Sequence, residues 1–306
     1  MAVKEFWFTS CGAGMIYARS WEPNGKPKGI LQIVHGIVDH CQRYDDFASF
    51  MAQQGYLVVA EDHMGHGKSG GSGTTKGYFD GGWFCAVDDS YALLTRIKAE
   101  YPHIPYFVFG HSMGSYMTLT ILEKYPNIKI DGCILCGSGW QLDVALSAGL
   151  RLSTAACRIS GEKQTNKRLF NLIVNAFNLR VKKPQTPYDW TNQDKDAVAC
   201  FLTDPLCDFT IKSGLSRDLM QGIMWVQAEK NFARIDKQIP FCLISGKEDP
   251  VGLYGEGVSK LSQELRNIGV QDLTIHLYPK CRHELIHELN KDTVYQDVLS
   301  WVNNRL

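Results

Sequence analysis

The stretch Gly110-His111-Ser112-Met113-Gly114 has the form G-x-S-x-G. Small residues on either side of the serine let a backbone turn sharply from a strand into a helix, so that the hydroxyl projects into the open at the bend. Its surroundings fit that use: Tyr106–Phe109 reads as a strand and Ser115–Tyr125 has helical spacing. A serine hydroxyl is a weak nucleophile at neutral pH and needs a histidine base oriented by a carboxylate. On a turn of this kind the partners follow in the order serine, acid, histidine, each after a strand. Asp249 stands in Ser245-Gly246-Lys247-Glu248-Asp249-Pro250 behind the run Pro240–Ile244, and His283 in Lys280-Cys281-Arg282-His283-Glu284 behind Leu273–Leu277. Glu248 is the rival for the acid and reads as a solvated neighbour. Acyl transfer through a tetrahedral intermediate also needs backbone donors for the oxyanion. The Met113 N–H supplies one, and the Ile37 N–H the other, from His35-Gly36-Ile37 at the end of the strand-like Ile30–Val34.

Other motifs compete with this reading. His283-Glu284-Leu285-Ile286-His287 fits H-E-x-x-H, in which two histidines one helical turn apart bind zinc. Beyond Glu288 only Asp292 or Asp297 could complete such a site, so no metal is expected. Gly65-His66-Gly67-Lys68-Ser69-Gly70 fits G-x-G-x-x-G, but Gly71-Ser72-Gly73-Thr74-Thr75 follows as a loop where a dinucleotide site needs a helix, and no cofactor is expected. Cys133-x-x-Cys136 lies within a strand-like run rather than at an exposed helix start, which argues against a redox pair.

Positioning these residues takes a layered fold. Strand-like runs at Ile30–His35, Tyr56–Glu61, Tyr106–Gly110, Gly132–Cys136, Pro240–Ser245 and Leu273–Leu277 alternate with helical spacing at Asp45–Gln54, Cys85–Tyr101, Met113–Tyr125, Gly255–Ile268 and Asp292–Asn303. That alternation predicts an α/β protein with a mostly parallel sheet. An antiparallel hairpin, Glu5–Phe8 with Met15–Ser20, is expected ahead of it. No strand is convincing from Gly139 to about Gly214, where Asn166–Leu179 places Leu169, Phe170, Leu172, Ile173, Ala176 and Phe177 on one face. This predicts a helical cap over 139–213 inserted into a core of 1–138 and 214–306, with Leu219–Phe232 as one helix returning to the sheet. The 306 residues carry 32 basic and 32 acidic side chains, and this neutrality argues against a nucleic-acid partner. The apolar runs are too short to span a membrane. The N-terminal residues show no apolar signal segment, so a cytoplasmic protein is expected. The ten cysteines read as buried free thiols.

His35-Gly36-Ile37-Val38-Asp39-His40-Cys41-Gln42-Arg43-Tyr44 resembles the H-G-x-x-E-H-x-x-R-Y loop of monoacylglycerol lipases and bacterial lysophospholipase-like hydrolases, with Asp39 in place of glutamate. Asp62-His63-Met64-Gly65-His66-Gly67-Lys68-Ser69 matches their D-H-x-G-H-G-x-S segment, and Asp204-Pro205-Leu206-Cys207-Asp208-Phe209 resembles an element of bacterial members. The resemblance runs over nearly the whole core. It implies an α/β-hydrolase fold with about eight strands and a serine carboxylic-ester hydrolase with the Ser112, Asp249, His283 triad, acting on a lipid-like acyl ester of the monoacylglycerol or lysophospholipid type. A peptidase or acyltransferase could use the same triad, and a ligand receptor could retain the pocket. His35 and Gly36 are expected at the substrate, with Phe170, Ile173 and Phe177 lining an acyl site. Between Arg151 and Tyr188 the chain holds eight Lys or Arg against one Glu. That imbalance suits either peripheral contact with an anionic lipid surface or an ordinary solvated face.

Overall fold

The computed structural model describes residues 1–70 and 73–306, with the side chain of Leu169 also outside the description. Gly71 and Ser72 of the expected loop therefore lie outside the described residues. The chain opens with β1 (Ala2–Thr9) and β2 (Met15–Glu22), an antiparallel pair. Then come β3 (Gly29–Val34), α1 (Asp45–Gln53), β4 (Tyr56–Glu61), α2 (Gly82–Glu100), β5 (Tyr106–His111), α3 (Met113–Lys124) and β6 (Gly132–Cys136). Helices α4 (Asp143–Ser160), α5 (Lys167–Phe177) and α6 (Lys195–Thr203) precede α7 (Ser213–Gln227) and the short α8 (Glu229–Phe232). The core closes with β7 (Phe241–Gly246), α9 (Glu256–Asn267), β8 (Leu273–Tyr278) and α10 (Lys291–Asn303). The result is an α/β fold.

One eight-stranded sheet runs in the order β1-β2-β4-β3-β5-β6-β7-β8 among the described residues, antiparallel as far as the β2–β4 pair and parallel beyond it. The strand period of two divides its side chains between two cores. Ile30, Val34, Tyr106 and Val108 face the side covered by α2, α3, α7 and α9, whereas Leu31, Ile33, Phe107 and Phe109 face α1 and α10. Cys133 and Cys136, three residues apart, fall on opposite faces for the same reason. The order reverses between β3 and β5, because β4 was laid on one side of β3 and β5 on the other. Such a switch point opens a crevice at the carboxyl ends of the strands, and both Gly36-Ile37 and Ser112 lie there.

Some expectations need correction. The predicted helix Leu219–Phe232 is two helices, broken where Ala228 adopts an extended ψ of 120°. Helices α4 and α6 were not foreseen within 139–213. The cysteines are not all buried free thiols: Cys11 and Cys85 are paired, with Cα atoms 5.8 Å apart, and Cys200 is exposed. Among the described residues no helix is long and apolar enough to cross a membrane.

Candidate active site

Ser112 sits between β5 and α3 with φ 52° and ψ −118°, a backbone conformation that L residues rarely occupy. The turn is held because the Ser112 N–H donates to the Cys136 carbonyl at 2.9 Å and Ser115 returns its N–H and hydroxyl to the Ser112 carbonyl at 2.9 and 2.6 Å. Gly114 is dictated by space, since a Cβ there would run into the carbonyl oxygens of Val34 and His35. That contact brings the start of α3 against the end of β3. As the first residue of α3, Met113 carries one of the N–H groups a helix leaves without an internal partner, and it shares the cavity wall with Ile37.

Asp249 is fully buried after β7, where it accepts from the Val251 N–H at 2.8 Å and the Ser245 hydroxyl at 3.2 Å. His283 follows β8 and its Nδ1 lies 3.0 and 3.1 Å from the two Asp249 oxygens. Gly137 at the end of β6 has φ 60°, and a Cβ there would press on the imidazole. Burial alone would lower the His283 pKa, but the Asp249 carboxylate outweighs it and raises the value above the ordinary 6.5. The same pairing holds the Asp249 carboxyl below its usual range against the opposing pull of burial. Ser112 and His283 open on one cavity of about 520 Å³. Glu248 is exposed beside Gln193 and Arg282, away from the imidazole.

A group that sequence reading missed ties the two loops together. Asp39, Tyr44 and Glu284 surround Arg43, whose side chain is only 9% exposed. Arg43 donates to Asp39 Oδ1 at 3.0 Å and forks onto both Glu284 oxygens at 3.0 and 2.8 Å. The other Asp39 oxygen accepts from the Tyr44 hydroxyl at 2.8 Å and the Gly36 N–H at 3.3 Å. Burial would raise both carboxyls, and the guanidinium instead holds them below the ordinary carboxylate range. Val38, between Gly36 and Asp39, has φ 53°, a strained setting for a β-branched residue that these bonds sustain.

The remaining candidates divide between the cavity wall and the packing behind it. His35 does not reach the cavity. It lies behind the loop, 3.8 Å centroid to centroid from His63, with Nδ1 on the Gly36 carbonyl and Nε2 accepting the His63 N–H. Gly36 does line the cavity, as do Phe170, Ile173 and Phe177. The H-E-x-x-H stretch is not a helix: Leu285–His287 is one 3-10 turn, Glu284 is occupied by Arg43, and His287 faces the Tyr44 ring. In the G-x-G-x-x-G loop, Asp62 accepts from the Cys41 and Lys68 N–H groups, so this backbone turns inward. Trp190, 5.0 Å from the His283 ring and 4.6 Å from Phe177, also lines the cavity. No local pattern flags it. Leu146 and Leu152 do so from α4, whose helical spacing was there to be read.

Residues 25–290 match the family model described as serine aminopeptidase, S33. The chain is 28% identical to the monoglyceride lipase of Mus musculus over 294 residues, covering 95% of this chain and 88% of that protein. It is 26% identical to the monoacylglycerol lipase of Mycolicibacterium smegmatis, covering 98% and 96%. A thermostable carboxyl esterase of Bacillus coagulans, solved with glycerol, superposes with a TM-score of 0.91 at 30% identity, covering 100% of this chain and 99% of the esterase.

Replacing Arg43 by methionine strands two buried carboxylates, which should cost about 3–5 kcal/mol of stability at neutral pH. Their depressed pKa values mean that the pairing stabilises above the unfolded carboxyl pKa of about 4 and is lost as pH falls through the lower folded values. The gap between wild type and Arg43→Met in denaturant unfolding should therefore narrow in acid, and a gap that persists unchanged to pH 3 would contradict the pairing.

Proposed function

The chain belongs to the serine aminopeptidase, S33, family of α/β-hydrolases, and on that premise we propose that it is a carboxylic-ester hydrolase cleaving lipid-like acyl esters through a Ser112, His283, Asp249 triad. The observation that carries the reading is the apolar cavity of about 520 Å³ with Ser112 and His283 in its wall. Leu146, Phe170, Ile173, Phe177 and Ile223 line it, a composition suited to a hydrocarbon chain. The names of the mouse and mycobacterial relatives and of the Bacillus esterase support ester chemistry. An aminopeptidase needs a free carboxylate for the substrate's ammonium group. The cavity-wall carboxylates of Asp39 and Glu284 are both engaged by Arg43, which favours the ester.

In the proposed cycle the Nδ1–H of His283 donates to Asp249, leaving Nε2 to take the Ser112 proton. Ser112 Oγ attacks the ester carbonyl, and the Ile37 and Met113 N–H groups receive the oxyanion. The alcohol leaves with the proton from His283. Water, activated by the same imidazole, then frees the acid from the acyl-enzyme. Ser112→Ala should lower kcat about 10⁶-fold and abolish labelling by a fluorophosphonate probe. A series of monoacylglycerols, p-nitrophenyl esters and aminoacyl amides should show activity on the esters rising with chain length; preference for the amides would favour the peptidase. Because only neutral His283 serves as base and its pKa is raised, kcat/KM should fall as pH drops through an inflection above 6.5. An inflection below that value would contradict the pairing with Asp249.

We further propose that residues 139–213 form a cap that meets a lipid surface. Val144, Ile159 and Leu179 are 82%, 85% and 81% exposed on it, and Arg151, Arg158, Lys167, Arg168, Lys182 and Lys183 of the same segment are exposed too. Two cations of the basic stretch are otherwise engaged, Lys163 with Asp80 and Arg180 over the Tyr254 ring. At about 1 kcal/mol per cation near an anionic surface, reversing Arg158, Arg168 and Lys182 to glutamate should weaken co-sedimentation with phosphatidylserine vesicles on the order of 100-fold or more. Equal partition onto neutral and anionic vesicles by the wild type would dispose of the electrostatic part.

A further inference from the structure

Three metal-binding side chains converge where the inserted segment meets the core, outside the cavity. His40 lies beyond Asp39 on the loop that follows β3, and Asp204 and Cys207 lie after α6. His40 Nε2 is 2.8 Å from Asp204 Oδ2, and these two atoms and Cys207 Sγ all lie within 4.8 Å of one another. The turn that presents the last two is built to do so: Asp204 Oδ1 accepts from the Leu206 N–H at 2.8 Å, and the Cys207 N–H returns to the Asp204 carbonyl at 3.0 Å. His40 is 3% and Cys207 6% exposed, whereas the Asp204 side chain retains 23%, an edge open to water.

We propose that His40 Nε2, Asp204 Oδ2 and Cys207 Sγ form a site for a zinc-class divalent cation, with water as fourth ligand, stapling the inserted segment to the loop that carries Ile37. Imidazole, carboxylate and thiolate together suit zinc, and a thiolate disfavours magnesium and calcium. Ligand atoms bonded at about 2.0–2.3 Å sit roughly 3.3–3.8 Å apart in a tetrahedron. The His40–Asp204 contact would therefore open by about half an ångström as the ring proton moves from Nε2 to Nδ1, which leaves Nε2 free to bind and releases no proton from the imidazole. The buried Nδ1 of His40 has no protein partner, so no second hydrogen bond ties the ring to the Nε2–H tautomer. Binding displaces one proton from Cys207 to solvent and forms the metal–sulfur bond. Burial raises the thiol pKa, so the cation rather than the protein must supply the driving force. The charged groups facing the site leave it negative: Asp39, Glu284 and Asp204 stand against Arg43 around Cys207, and Asp62 lies against His40.

The test uses the full chain, stripped with a chelator and kept in a phosphine reductant, titrated with Co²⁺ as the optical stand-in for zinc. One equivalent should produce a thiolate-to-cobalt charge-transfer band that added Zn²⁺ abolishes. Cys207→Ser should remove the band, Asp204→Asn should raise the apparent Kd at least tenfold, and Cys200→Ser, at an exposed thiol on α6, should change neither. No band in the wild type, a band that survives Cys207→Ser, or one indifferent to Asp204→Asn would overturn the assignment. The readout requires no turnover, so it stands or falls separately from the ester-hydrolase reading.

Discussion

The buried guanidinium of Arg43 joins two loops that lie far apart along the chain. Residue 39 follows β3 and residue 284 follows β8, on strands at different places in the sheet, yet one side chain bonds both. An unpaired guanidinium or carboxylate in this setting would be strongly disfavoured, so each group requires the others. Because Asp39 also receives the Gly36 N–H and Glu284 is the neighbour of His283, the arrangement couples the loop of Gly36 and Ile37 to the loop of His283. Arginine suits the role because its planar fork engages Glu284 with two parallel bonds and still reaches Asp39.

Around that clamp the fold stores and absorbs strain. Ser112 and Val38 both occupy positive φ, one on each side of the switch point between β3 and β5. Residues in such regions persist only where their surroundings over-determine them. Here the determinants are the Ser115 bonds and the Gly114 contact on one side, and the Asp39 bonds on the other. Both strained residues face the same cavity.

The helices between β6 and β7 add what the sheet lacks. Strand ends present backbone donors and polar side chains, and a concave apolar wall has to come from elsewhere. Helices α4 and α5 supply it with Leu146, Phe170 and Ile173, while Trp190 bridges Phe177 to the His283 ring. The segment is tied to the core by polar contacts at its margins. Gln141 reaches Tyr116 and the Val251 carbonyl, the Glu284 N–H donates to the Thr191 carbonyl, and Asp204 meets His40.

The fold class and the three candidate residues Ser112, Asp249 and His283 were legible in the sequence because their signals are local. A strand announces itself by a short Val, Ile and Phe run, an elbow by its glycines, and the order of the partners by the order of the strands. The signal of helix α4 is equally local, in the spacing of Leu146, Leu150 and Ser153. The break at Ala228 was not legible, because residues on both sides keep helical spacing and a single ψ decides it. Position in space made the other differences. The sequence put His35 at the substrate because it adjoins Gly36, yet the backbone turns its ring into the His63 stack. It placed Glu284 inside a zinc-like H-E-x-x-H pattern, and Arg43, 241 residues away, claimed that side chain instead. Residue type and short-range period determine which elements form. Partners far apart along the chain are chosen only when the packed elements bring a buried charge to the counter-charge that can satisfy it.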